Sequence, residues 1–80
     1  MAKEYAVCIQ SFNEDGCLIE TTEIRHAWTK EEALKAMRGE IEWYMDAEDQ
    51  KYTILRDKDG CFNYVRDDDS MMMFFIRDVI

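Results

Sequence analysis

The sequence predicts an α+β fold, β-β-α-β-β-β in order, in which an antiparallel sheet carries one helix packed on one face. Three observations predict it: several short segments alternate between apolar and polar residues, one segment repeats apolar residues at helical spacing, and Asp-Gly turns separate strand-like segments. The chain has 80 residues, which is the length of one domain. We therefore expect residues 1–80 to form a single domain.

The first two segments predict a β-hairpin. Glu4 to Phe12 alternates, and its odd-numbered residues from Tyr5 to Ile9 share one face. Asn13-Glu14-Asp15-Gly16 supplies a turn, because glycine readily takes the left-handed conformation that closes a hairpin. The returning strand, Cys17 to about Ala27, is rich in β-branched residues.

The next segment predicts a helix that begins after Thr29 and ends near Ala47. Thr29-Lys30-Glu31-Glu32 has the form of a capping box, in which the Thr29 hydroxyl accepts a hydrogen bond from the amide of Glu32. Gly39 lies inside this helix at a cost of about 1 kcal/mol relative to alanine. A close approach of the helix to the sheet is one explanation for it. The predicted buried stripe is Leu34, Met37, Ile41, Tyr44 and Met45, widened on one side by Ala33, Ala36 and Trp43.

Three strands follow the helix and complete the sheet. Tyr52 to Arg56 and Cys61 to Arg66 are joined by the turn Asp57-Lys58-Asp59-Gly60. A second turn, Asp67-Asp68-Asp69-Ser70, leads into a last strand from Met71 to Val79. That strand is apolar on both faces, which is typical of a strand covered on both sides.

The apolar run at the start of the last strand has two interpretations. It is a central core strand, or one of its faces docks a partner or a second copy of the chain. Methionine and phenylalanine suit such an adaptable docking surface. On the second interpretation the binding residues are Met71, Met73 and Phe75.

The charge balance bears on the kind of partner. Eighteen acidic residues against ten basic ones give a net charge of −8. Such a surface repels phosphate backbones, so we expect no direct binding of nucleic acid. It would attract a basic groove, including one that normally holds DNA or RNA. Solubility alone is the second interpretation of the charge.

The remaining patterns argue against catalysis. Aligning a calcium-binding EF-hand loop on Gly60 puts Leu55 at its first ligand position and Arg66 at its last, so the template fails. Three cysteines without a C-x-x-C pair, and a single histidine, favour reduced thiols over zinc ligands. We expect no catalytic residues, no metal and no cofactor. No apolar run is long enough to span a membrane, and a cytoplasmic location is expected.

Residues 29–34, Thr-Lys-Glu-Glu-Ala-Leu, follow a predicted hairpin, and this arrangement resembles the start of HicB-type antitoxins. In that family a strand pair precedes a similar helix and a further strand. The resemblance covers about half of the chain. It implies an antitoxin-like protein that binds a protein partner.

In size, acidity and absence of a catalytic motif, the chain resembles the small inhibitors that phages and mobile elements use against host defences, including anti-CRISPR proteins and other DNA mimics. The resemblance implies a stoichiometric inhibitor whose carboxylates occupy a basic site in a nuclease or nucleic-acid-binding complex. The alternative is a structural or regulatory module that forms a homodimer through the last strand. The carboxylates expected to face a basic partner are Glu40, Glu42, Asp46, Glu48, Asp49, Asp67, Asp68 and Asp69.

Overall fold

The computed structural model describes residues 4–79 and confirms the predicted α+β fold and its element order. The largest boundary difference is in the third strand, which continues through two residues that the sequence places in the turn. The elements are β1 (Tyr5–Phe12), β2 (Leu18–Ala27), α1 (Lys30–Ala47), β3 (Tyr52–Lys58), β4 (Cys61–Arg66) and β5 (Met71–Asp78).

The strands form one antiparallel sheet in the order β2-β1-β5-β4-β3. The pairing of β1 with β5 joins the two hairpins, with Tyr5 opposite Asp78 and Phe12 opposite Met71. The apolar last strand is therefore the central strand of the sheet. The face of this strand that packs against α1 is covered as predicted, but no helix or strand among residues 4–79 covers its other face.

The core lies between the sheet and α1, which packs over β1, β2 and β5. Of the predicted helix stripe, Met37 and Ile41 are buried, whereas Leu34, Tyr44 and Met45 are half-buried on its flanks. Of the residues predicted to widen the stripe, Ala33 is fully buried and Ala36 is half-buried, but Trp43 is 64% exposed, so its predicted place in the core is wrong. The sheet residues buried in this core are Val7, Ile9, Ala27, Phe62, Tyr64, Met72 and Phe74.

Local signals in the sequence are realised at the turns and at the helix start. Gly16 and Gly60 have φ of 82° and 84°, the left-handed conformation predicted for the two Asp-Gly turns. Thr29 caps α1, since its hydroxyl oxygen accepts a hydrogen bond from the amide of Glu32 at 3.2 Å. The helix carries no apolar stretch of the length required to cross a membrane.

Gly39 is not explained by a close approach to the sheet, so that hypothesis is wrong. A Cβ built at this position meets no other atom within 4 Å. We expect Gly39→Ala to raise the free energy of unfolding by about 0.5–1 kcal/mol, because alanine loses less backbone entropy in a helix. Urea denaturation of the two proteins measures the difference. A lower free energy of unfolding in the variant would contradict the open space seen around this position.

Candidate partner-binding surfaces

Three connections come together at one end of the sheet. Because Phe12 pairs with Met71, the β1–β2 turn lies beside the β4–β5 turn. The β4–β5 turn is tied in turn to the segment between α1 and β3. Its Asp67 amide donates to the Lys51 carbonyl oxygen at 2.9 Å. The topology thus gathers segments that are about fifty residues apart in the chain.

Seven exposed carboxylates lie on these connections and on the last turn of α1, and we call them the acidic end. Two basic residues, Lys51 and Arg66, belong to the same region, and Arg66 is engaged internally by Glu48. The negative charge of this end is therefore largely uncompensated by the chain itself. The acidic end consists of Glu14, Asp15, Asp46, Asp49, Asp67, Asp68 and Asp69.

Glu48, just after α1, is held inside the protein. Its Oε2 accepts hydrogen bonds from the Tyr64 hydroxyl at 2.9 Å and from Arg66 Nε at 2.8 Å, and its side chain is 7% exposed. Burial alone would raise the pKa of Glu48, but these two hydrogen bonds and the charge of Arg66 lower it overall. Burial and the bond to Glu48 raise the pKa of Tyr64. Glu48 therefore anchors the end of the helix to β4.

Asp68 is exposed but organised. Its Oδ1 accepts hydrogen bonds from the amide and hydroxyl of Ser70, at 2.9 and 2.5 Å, and its Oδ2 accepts one from Gln50 at 3.1 Å. The bonds from Ser70 lower the pKa of Asp68 from 3.8 to about 2. The carboxylate therefore shapes the turn and stays charged.

This pKa makes the turn's contribution to stability depend on pH. Since the pKa of Asp68 is lowered on folding, its contribution is complete above 3.8 and is lost as the pH falls through about 2. We expect Asp68→Asn to be less stable than the wild type near neutral pH, with a difference that shrinks between about pH 5 and pH 2. Urea denaturation across that range measures it. A difference that is independent of pH would contradict the role of the charged form.

The structure separates the predicted acidic residues into different environments. Glu40 lies in mid-helix, 3.5 Å from Arg25 Nε, and faces β2. Glu42 is exposed on α1 one turn before the acidic end. Glu14 and Asp15 belong to the acidic end but were considered only as turn residues. No local signal could have included them, because their position depends on the pairing of β1 with β5.

The second predicted surface lies on the face of the sheet opposite α1, which we call the open face. Within residues 4–79, no helix or strand packs on it. Met71, Met73 and Phe75 lie along its centre on β5 and are half-buried by their neighbours on the sheet. The predicted docking residues are thus together on one face, apart from the acidic end.

A third surface is an open groove of about 830 Å³ between α1 and β2. Trp43 is 64% exposed at its edge, and its ring is 5.1 Å from that of Tyr44. The groove is lined by both cations and carboxylates, including Lys35 and Glu32. Such a mixture indicates no particular class of ligand.

The three cysteines differ in exposure: Cys8 is buried, Cys17 is exposed and Cys61 is half-buried. All three are free thiols. Among the residues that the structure describes, no three Cys, His, Asp or Glu side chains are grouped so that they could hold a metal ion.

Comparisons with protein-family models, curated proteins and solved structures give no match.

Proposed function

We propose that the chain is a non-catalytic binding protein that places its acidic end in a basic, nucleic-acid-binding site of a protein partner in the cytoplasm. The observation that carries the proposal is the convergence of seven exposed carboxylates from separate segments on one end of the sheet. Carboxylates so placed can occupy positions that phosphates take in an Arg- and Lys-lined groove. A partner blocked in this way would be inhibited stoichiometrically, as by an anti-CRISPR protein or DNA mimic.

The order of the β4–β5 turn supports the proposal. Asp68 is held by Ser70 and Gln50, and Asp69 has a φ of 70°, so the turn has a defined conformation. A surface that is ordered before binding loses less conformational entropy when the partner arrives. The carboxylates would therefore meet a basic groove with little rearrangement.

Electrostatic attraction of this kind depends on salt. Charges that are exposed before binding are screened over about 8–10 Å at physiological ionic strength. The association rate of an acidic surface with a basic groove accordingly falls as salt is added. We therefore expect the affinity of the protein for its partner to fall as the salt concentration rises, if binding occurs through the acidic end.

Charge reversal at two positions tests the proposal. We expect Asp49→Lys with Asp67→Lys to reduce capture of a nucleic-acid-binding protein from a lysate of the native host by about tenfold or more, because two carboxylates facing the basic groove become repulsive cations. Captured proteins are quantified by mass spectrometry. Both residues are exposed, and circular dichroism verifies that the variant folds.

A matched control carries the same change in charge at the other end of the sheet. Asp59 in the β3–β4 turn and Asp78 at the end of β5 are both exposed. Asp59→Lys with Asp78→Lys should leave capture within about twofold of the wild type. Equal loss in both variants, or loss in neither, would contradict binding through the acidic end.

A further inference from the structure

We propose that the open face binds a second copy of this chain, in a two-fold dimer whose axis runs parallel to β5. This inference goes beyond the proposed function, because it concerns a different surface and a different partner. It rests on the pattern in which the strand register arranges the side chains of the open face.

The register places these side chains in rows that cross the sheet from β2 to β3. The row nearest the acidic end is apolar except at β3 and comprises Leu18, Phe12, Met71, Val65 and Thr53. The middle row is Thr21, Gln10, Met73, Asn63 and Arg56. The third row is Glu23, Cys8, Phe75, Cys61 and Lys58. A partial fourth row is His26, Ala6 and Arg77.

Each of the three full rows matches the same row of a second copy when that second row runs in the opposite direction across the sheet. A two-fold axis parallel to β5 places β5 of one copy on β5 of the other. It also places the β2 end of each row on the β3 end of the same row in the second copy. Phe75 then meets Phe75 of the second copy, and Lys58 meets Glu23. Lys58 comes close to Glu23 at both ends of the row, where Glu23 is also paired with Arg77 and His26 of its own chain, while apolar side chains meet at the centre.

The other face-to-face two-fold axis, perpendicular to the strands, does not give this match. It would reverse the order of the rows and set the apolar row of Phe12 and Met71 against the row that contains Arg77. It would place Arg77, which is paired with Glu23 of its own chain, against apolar side chains, and desolvating a charged pair there costs free energy. The pattern of the open face therefore selects the axis parallel to β5.

The size of the face sets the expected strength of the dimer. Five strands spaced about 4.8 Å apart, with rows about 7 Å apart, cover roughly 20 by 20 Å. A footprint of about 400 Å² per copy, or about 800 Å² for the pair, is smaller than the roughly 1,200–2,000 Å² of stable interfaces and lies in the range of weak, transient ones. We therefore expect a weak dimer whose population rises with the concentration of the chain.

Sedimentation equilibrium of the chain alone tests the dimer and is independent of any partner for the acidic end. We expect the mass of the wild type to rise from 9.6 kDa towards twice that value as the concentration increases to about 200 μM. Met73→Glu should remain a monomer, since the axis sets the two new carboxylates against each other. Ile54→Glu adds the same charge on the helix side of exposed β3 and should still dimerise.

A surface substitution tests the register separately and does not depend on Met73→Glu folding. Lys58→Glu should weaken the dimer by about tenfold, because it would face Glu23, whereas Lys35→Glu on α1 should leave it unchanged. A wild type that stays at 9.6 kDa would overturn the proposal. Equal weakening by Lys58→Glu and Lys35→Glu would overturn the two-fold arrangement.

Discussion

Phe74→Ala is expected to lower the free energy of unfolding by about 3–5 kcal/mol, the cost of removing a buried phenylalanine side chain from a core. Phe74 is 0% exposed at the centre of β5. Its ring centroid is 5.4 Å from that of Tyr44 on the helix and 6.0 Å from that of Phe62 on β4. Alanine would leave a cavity where both layers meet. Small domains have a total stability of about 5–15 kcal/mol, so much of the variant should be unfolded near 37 °C.

Phe75→Ala is the matched control, because the same change is made on the neighbouring residue of the same strand. Phe75 is half-buried on the open face, so we expect a loss of about 1 kcal/mol in dilute solution. Thermal denaturation followed by circular dichroism compares the two variants. Equal losses would mean that the core is not concentrated between the helix and the sheet.

Arg66→Met is expected to cost about 2–4 kcal/mol, because it leaves the buried carboxylate of Glu48 without its cation. The estimate is below that for a fully buried pair, since the Arg66 side chain remains 21% exposed. The substitution also removes the contact of the guanidinium with the Tyr64 ring, whose centroid is 5.5 Å away. Tyr64 would then hold Glu48 alone.

Arg25→Met provides the control, because Arg25 pairs with Glu40 while its own side chain is 63% exposed. Such a pair contributes about 0–1 kcal/mol.

The loss of stability in Arg66→Met should also depend on pH. The pKa of Glu48 is lowered below 4.5 on folding, so the pair stabilises fully above that pH and less as acid is added. Urea denaturation at several pH values measures both effects. Equal losses in the two variants would contradict the anchoring role of Glu48.

The sequence predicts the local structure well because each signal acts over a few residues. The Thr29 cap, the Asp-Gly turns and the alternation in the strands each depend on neighbouring residues, and each is realised. The extension of β3 to Lys58 was missed, because charged residues at an exposed edge give no apolar alternation.

The arrangement of the sheet could not be predicted in the same way. Pairing of β1 with β5 joins residues that are about sixty positions apart, and no periodicity within either strand specifies that neighbour. The acidic end depends on this pairing, because it brings Glu14 and Asp15 beside Asp67. The environment of Glu48 was also hidden, since a carboxylate after a helix gives no sign of the arginine that will bind it.

The most direct measurement of the central claim is competition between duplex DNA and this protein for the captured partner. If the acidic end occupies a nucleic-acid-binding site, increasing DNA should displace the protein, and the two should never be bound together. The Asp49→Lys with Asp67→Lys variant should fail to compete, while the variant reversed at Asp59 and Asp78 should compete like the wild type. A stable complex that contains the partner, the DNA and this protein together would contradict the proposal.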